Sequence, residues 1–156
     1  MRVNVHRKQY SMKLNANVVG VKALEKKFKK FGIEGQKQFE DITKIQALEI
    51  QADAKRQAPV DLGKLRQGIV TEEVNKTTYI IAALEKYSAF MEFGTGMLTS
   101  IPKGWEEIAI LFKGKGVRQV NLPAQPFLYP AFMKGSDQYI KDLNTALKRL
   151  TDKFNK

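Results

Sequence analysis

Proton transfer, nucleophilic attack and metal binding each need particular side chains at particular spacings, and this 156-residue chain holds few of them. Histidine occurs once, as His6, in a basic segment with no expected neighbour to share a proton. There is no cysteine, and no Ser or Thr sits in a nucleophile-elbow pattern. Glu72-Glu73 and Glu106-Glu107 are adjacent pairs. In strands such neighbours point to opposite faces, so they read as solvated sheet edges rather than carboxylate dyads. No His, Asp and Glu cluster has a metal-ligand spacing, and no cofactor is expected. Gly94-Thr95-Gly96 looks like part of a phosphate-cradling loop but lacks the further glycine or the Lys-Ser/Thr pair that such loops need. A hydrolase or nuclease would require carboxylates such as Asp53 and Glu92 to converge on a metal. The residue inventory points away from an enzyme.

Glu92 stands apart from the other carboxylates, between Met91 and Phe93 and just before the Gly-Thr-Gly turn. It is either an exposed residue opposite a buried aromatic or a carboxylate paired with a cation across a subunit boundary. Arg66 and Lys64 are the candidates for that cation.

The elements that would position these residues follow from hydrophobic period. Val3 and Val5, then Tyr10, Met12 and Leu14, suggest an exposed strand or extended arm over residues 1–16. From Val21 the spacing turns helical through Leu24, Phe28 and Phe31, and Gly32 stands where a C-terminal cap belongs. A second helix is predicted from about Gly35 to Gln57, with Phe39, Ile42, Ile45, Leu48 and Ala52 on one side and Ile50 and Ala54 widening its buried face. Pro59 stops it, because proline disfavours helical geometry in the residue before it.

"IVTEEV" and "TTYIIAAL" flank Asn75-Lys76 as a hairpin. Residues 87–93 fit either a strand or a short helix. "WEEIAILF" and "VRQVNLP", separated by "KGKG", predict a second hairpin. Ile140, Leu143, Leu147, Leu150 and Phe154 form the stripe of a terminal amphipathic helix, with Pro130 in its first turn. The expected fold is α+β: two N-terminal helices, a mostly antiparallel sheet with hairpins, and a C-terminal helix, as one domain over residues 17–156.

The chain is 43% hydrophobic, carries a formal charge of +11 and has no apolar run near membrane-spanning length. A soluble protein made in the cytoplasm is expected. Residues 1–37 hold ten Lys/Arg and two Glu, against seventeen cations and fourteen acids in the remainder. That asymmetry fits an arm meeting an acidic surface, whether nucleic acid or protein, or a solvated lysine-rich helix face. A basic nucleic-acid-binding module without enzymatic activity is therefore an alternative, although no groove-reading motif accompanies the charge.

Three stretches combine into a known arrangement. "AKRQAPVDLGKLRQGI" (54–69) is an alanine-rich helix end, Ala-Pro-Val, then Gly-x-Leu-Arg leading into a strand. "YSAFMEFGTG" (87–96) ends in Glu-Phe-Gly-Thr, and "PAQPFLYPAF" (123–132) leads into the final helix. In this order and at these intervals they resemble the tail-completion or head–tail joining (neck) proteins of long, non-contractile-tailed bacteriophages and their prophages, over roughly residues 17–155. Two features depart from the pattern: Gly68 replaces a Ser-type residue, and the chain opens with an extra basic arm, within residues 1–16, containing Arg2, Arg7, Lys8 and Lys13.

The resemblance implies a structural virion protein at the head–tail junction, assembled in the host bacterial cytoplasm. It implies a homo-oligomeric ring, sixfold by preference, adjoining a connector or stopper and a tail terminator. Non-specific contact with channel DNA is compatible with it, and no membrane is involved. Pro59, Gly63 and Gly68 would set the angle between helix and sheet. Leu65, Arg66, Glu92, Phe93, Gly94, Thr95, Pro126, Phe127, Tyr129 and Pro130 are the structural or interface candidates. Leu128 and Phe132 are further large anchors, and the "GKGKGVR" tip is either a solvated loop or a basic finger.

Overall fold

The computed structural model describes residues 21–60, 63–113 and 121–154. The basic arm, with Arg2, Arg7, Lys8, Lys13 and His6, lies outside the described residues, as does the 114–120 tip, and the described end of the strand expected over "VRQVNLP", residues 121–123, is not in a strand. The α+β class holds, but the helices are longer and the sheet smaller than the sequence led us to expect.

One helix, α1 (Val21–Gln57), replaces the two expected at the N-terminus. At 1.5 Å per residue it is about 55 Å long. Gly32 does not end it: nothing lies within 4 Å of where its Cβ would be, and one interior glycine costs only about 1 kcal/mol relative to alanine. Packing on both sides of Gly32 carries the helix through. Phe31 meets Phe154 edge-on at 5.3 Å, Glu34 pairs with Lys153, and Gly35 lies against Leu150. The helix stops where Pro59 requires, with Lys55 and Arg56 in a last turn whose carbonyl dipoles favour cations.

After the short helix α2 (Lys64–Gln67), β1 (Ile69–Asn75) and β2 (Thr78–Ala83) form an antiparallel hairpin. Ile69 pairs with Ala83 and Thr71 with Ile81, and an irregularity follows Glu73. Asn75 Oδ1 accepts the Thr77 N–H at 2.9 Å, an Asx turn that closes the hairpin at the expected place. The hairpin lies on α1, where Gln51 Nε2 donates to the Ile69 carbonyl at 2.9 Å.

The ambiguous segment becomes helix α3 (Ser88–Phe93), and a 3-10 turn follows at Gly96–Leu98. The strand expected over "WEEIAILF" is instead a helical turn, α4 (Glu106–Ala109), running into a 3-10 turn at Ile110–Lys113. Glu106 and Glu107 fall in the first turn of α4, where acidic side chains suit the N-terminal dipole. They are therefore not strand neighbours on opposite faces. Backbone N–H groups of Gly104 and of Glu106 itself hold the Glu106 carboxyl below its ordinary range.

The final helix, α5 (Leu128–Phe154), includes Pro130 in its first turn as expected and packs antiparallel along α1. Its buried seam matches the predicted stripe only in part, at Leu150 and at the half-buried Leu143 and Phe154. Ala131, Gly135, Ala146 and Leu150 are buried, whereas Ile140 and Leu147 are exposed. The cause is a close crossing: a Cβ on Gly135 would lie 2.2 Å from Ile50 Cγ1, so the helices approach at small residues and the larger ones fall outside the seam. Likewise on α1, Ala47, Ile50 and Ala54 are buried while Ile45 and Leu48 are exposed.

Candidate functional site

The three sequence blocks converge on one junction. Its core is Ile50, Ala54 and Ala58 from the end of α1, Leu65 and Ile69 from the first block, and Phe127 and Ala131 from the third. Met91 of the second block packs against this cluster. Gly63, in the turn just before α2, takes φ 70°, a conformation that favours glycine. Arg66 Nε then donates to the Ala58 carbonyl at 3.2 Å and ties the turn to the helix end. Gly68 differs from expectation, because its φ of −74° is open to any residue. A side chain there would instead press on Glu85, whose Cγ would lie 3.0 Å from the new Cβ.

Gly94 does require glycine. Its φ is 71°, and a Cβ would lie 2.6 Å from the Leu122 carbonyl oxygen and 2.8 Å from both Ala124 N and the Leu98 oxygen. Without a Cβ in the way, the incoming third block runs beside the second. Thr95 N–H donates to the Leu122 carbonyl at 2.9 Å, Leu122 N–H to Thr95 Oγ1 at 3.0 Å, and Gln125 N–H to the Met91 carbonyl at 2.7 Å.

This approach brings Glu92 to the start of α5. Its carboxylate accepts backbone N–H groups from Phe127 and Leu128 at 2.9 Å and from Tyr129 at 2.8 Å. A helix cannot satisfy its own first N–H groups, and its N-terminus favours negative charge. The next residue, Pro130, has no N–H to satisfy. One side chain from thirty-five residues upstream therefore closes the helix start. Glu92 is only 4% exposed, which corrects the reading of it as a surface residue. Among the described residues neither Arg66 nor Lys64 forms an ion pair with it.

Beside the cap runs a chain of rings. Phe90 meets Phe112 at 5.1 Å, Phe112 stacks on Phe93 at 5.5 Å, Phe93 tilts against Trp105 at 5.8 Å, and Trp105 meets Tyr129 edge-on at 5.7 Å. Sequence reasoning did not single out Trp105 or Phe112 as partners for this block, because a strand reading of 105–112 conceals their common side.

Of the residues singled out, Leu65, Glu92, Phe93, Gly94 and Phe127 are buried within the chain. Pro59, Gly63, Arg66, Thr95, Tyr129 and Pro130 are half-buried, and Pro126 is exposed. Phe132 is exposed as well, unlike its neighbour Phe127. Among the described residues no three His, Cys, Asp or Glu side chains gather as a metal set, and no helix is long and apolar enough to cross a membrane.

Residues 22–94 match the family model HK97-gp10-like, described as "Bacteriophage HK97-gp10, putative tail-component". The match includes the first block and most of the second, and stops before the third. No curated protein and no solved structure matches the chain. Over residues 22–94 this chain is similar to a bacteriophage tail-component family, which bears out its resemblance to a phage tail-completion family.

Proposed function

We propose that this chain is a non-enzymatic structural subunit of the phage neck, which completes the tail and joins it to the DNA-filled head as a ring of identical copies. Sixfold symmetry would match a tail tube. Its neighbours would be a connector or stopper on one side and a tail terminator on the other. The tail-component match supports a structural role.

The observation that carries the ring is the distribution of apolar side chains. Among the described residues six buried hydrophobic side chains are larger than alanine: Ile50, Leu65, Ile69, Phe93, Phe127 and Leu150. Against these, twenty-two large hydrophobic residues are exposed among the described residues. An isolated exposed leucine means little, but large apolar areas mark surfaces that other molecules cover. A ring subunit must bury surface on two sides, which accounts for so thin a core in a chain of this length.

Native mass at low and moderate salt, with nuclease treatment, tests the proposal. A closed ring indifferent to nuclease supports it and gives the symmetry. A monomer that neither joins purified heads to tails nor binds any neck component would refute it. The cationic helix start also suits weak DNA contact. Binding that survives about 200 mM salt would favour the nucleic-acid reading instead.

A further inference from the structure

The seam between α1 and α5 does not end where α5 ends. Leu24, Phe28, Phe31 and Gly35 follow one another at helical spacing on a single face of α1. Gly35 meets Leu150 and Phe31 meets Phe154. Phe28 and Leu24 lie one and two turns further out, 67% and 54% exposed. Together with Thr151 and Phe154 they line a groove of about 300 Å³, and Lys27 stands at its rim. Residues 22–31 and 148–154 carry eight Lys/Arg against Glu25 and Asp152, so the groove sits in a strongly cationic end of the molecule.

A surface of complementary character occurs near the other end of α5. Ile108, Ile110 and Leu111 are exposed on the turn formed by α4 and the following 3-10 segment, Leu111 to 75%. Glu106 and Glu107 precede them and Lys113 ends the segment, so residues 105–113 carry a net charge of −1, with both acids beside the exposed Ile108. The turn is preformed, since Phe112 stacks on Phe93 and meets Phe90, while Trp105 meets Tyr129 at the start of α5.

We propose that copies of this chain join head to tail, the acidic, apolar turn of residues 106–111 of one copy seating in the cationic groove of Leu24, Phe28, Phe31 and Phe154 of the next. The inference rests on the self-assembly proposed above and names its contact surfaces. Two grooves facing each other would bring like charges together, and so would two turns. An aliphatic and aromatic floor has nothing to offer a phosphate backbone, but it fits Ile108 and Leu111, which lie three apart on one helical face. Because the two patches are different surfaces at opposite ends of α5, the contact is heterologous, the type that generates rings when its rotation closes.

A charge-reversal mixing experiment on the full-length protein tests this by native mass and sedimentation. Lys22→Glu, Lys26→Glu, Lys27→Glu and Lys29→Glu together turn the eight cations and two acids of the groove end into four cations and six acids, and Glu106→Lys with Glu107→Lys makes the turn basic. Each charge-reversed variant alone repels its own copies, and its self-association is expected to weaken by about tenfold or more. In an equimolar mixture every groove can find a turn of opposite charge, so assembly should return to within about threefold of the wild type. Leu111→Ser, which changes no charge, should reproduce the loss. A mixture that does not recover overturns the inference, as does wild-type-like assembly of the variants. If those variants still form rings, the ring reading stands without these surfaces. A wild-type protein that stays monomeric at high micromolar concentration also overturns the inference, and the neck reading is then decided by head–tail joining alone.

Discussion

At the scale of single residues, Glu92 and Gly94 are one device. Gly94 allows the chain at Leu122–Ala124 to pass within hydrogen-bonding distance, and Glu92 uses that approach to cap α5. Glu92→Gln leaves the volume but replaces one accepting oxygen with a donor facing N–H groups. Stability should fall by about 2–3 kcal/mol, read by denaturant unfolding of the unassembled protein. An unchanged midpoint would show that the carboxylate serves an interface instead. Gly94→Ala should cost about 3 kcal/mol or prevent folding, since it combines a positive φ with three backbone clashes. Gly32→Ala makes the opposite prediction. With open space at its Cβ and a helix on both sides, it should stabilise by about 1 kcal/mol. The sequence marks Glu92 and Gly94 as notable, but it does not show what they do. A cap supplied from thirty-five residues away leaves no local spacing to read.

Among the elements, α1 and α5 are held at both ends of their contact by ion pairs. Lys134 and Arg56 hold the Asp53 carboxyl below its ordinary value of 3.8, and Lys153, with Lys30, holds Glu34 below 4.5. A carboxyl depressed in the folded state contributes stability above its unfolded pKa and loses it as pH falls through the folded value. The melting temperature should therefore hold from pH 7 to 5 and drop below about pH 4, less steeply in Asp53→Asn. A curve flat down to pH 3 would contradict this. The hairpin, the stop at Pro59 and the terminal helix were legible because local rules decide them. The continuity of α1 was not, because contact with α5 outweighs Gly32. Nor was the helical turn at 106–113, where a run of Ile and Leu imitates a strand. Part of the seam of α5 was hidden for a related reason: hydrophobicity ranks Ile140 and Leu147 above Gly135, but closeness of approach selects glycine.

For the whole molecule, the exposed apolar surface makes a simple optical prediction. Unassembled protein should bind an apolar-surface dye such as anilinonaphthalene sulfonate, and most of that fluorescence should vanish on assembly or on joining a neck partner. Fluorescence unchanged by assembly would place the contacts on polar surfaces and count against the ring as drawn.

The pinned base of the second and third blocks has a consequence for variation among related chains. The Thr95–Leu122 bonds close a span of twenty-seven residues at its root, so length added away from its anchors at Trp105 and Phe112 need not disturb the rest of the molecule. Closure entropy grows only logarithmically with length, and an added stretch of about ten residues would cost well under 1 kcal/mol. The span behaves as an exchangeable cassette on a fixed frame. A lineage could replace its recognition turn, or an experimenter could insert a tag there, while the helix pair and its distant cap keep their form.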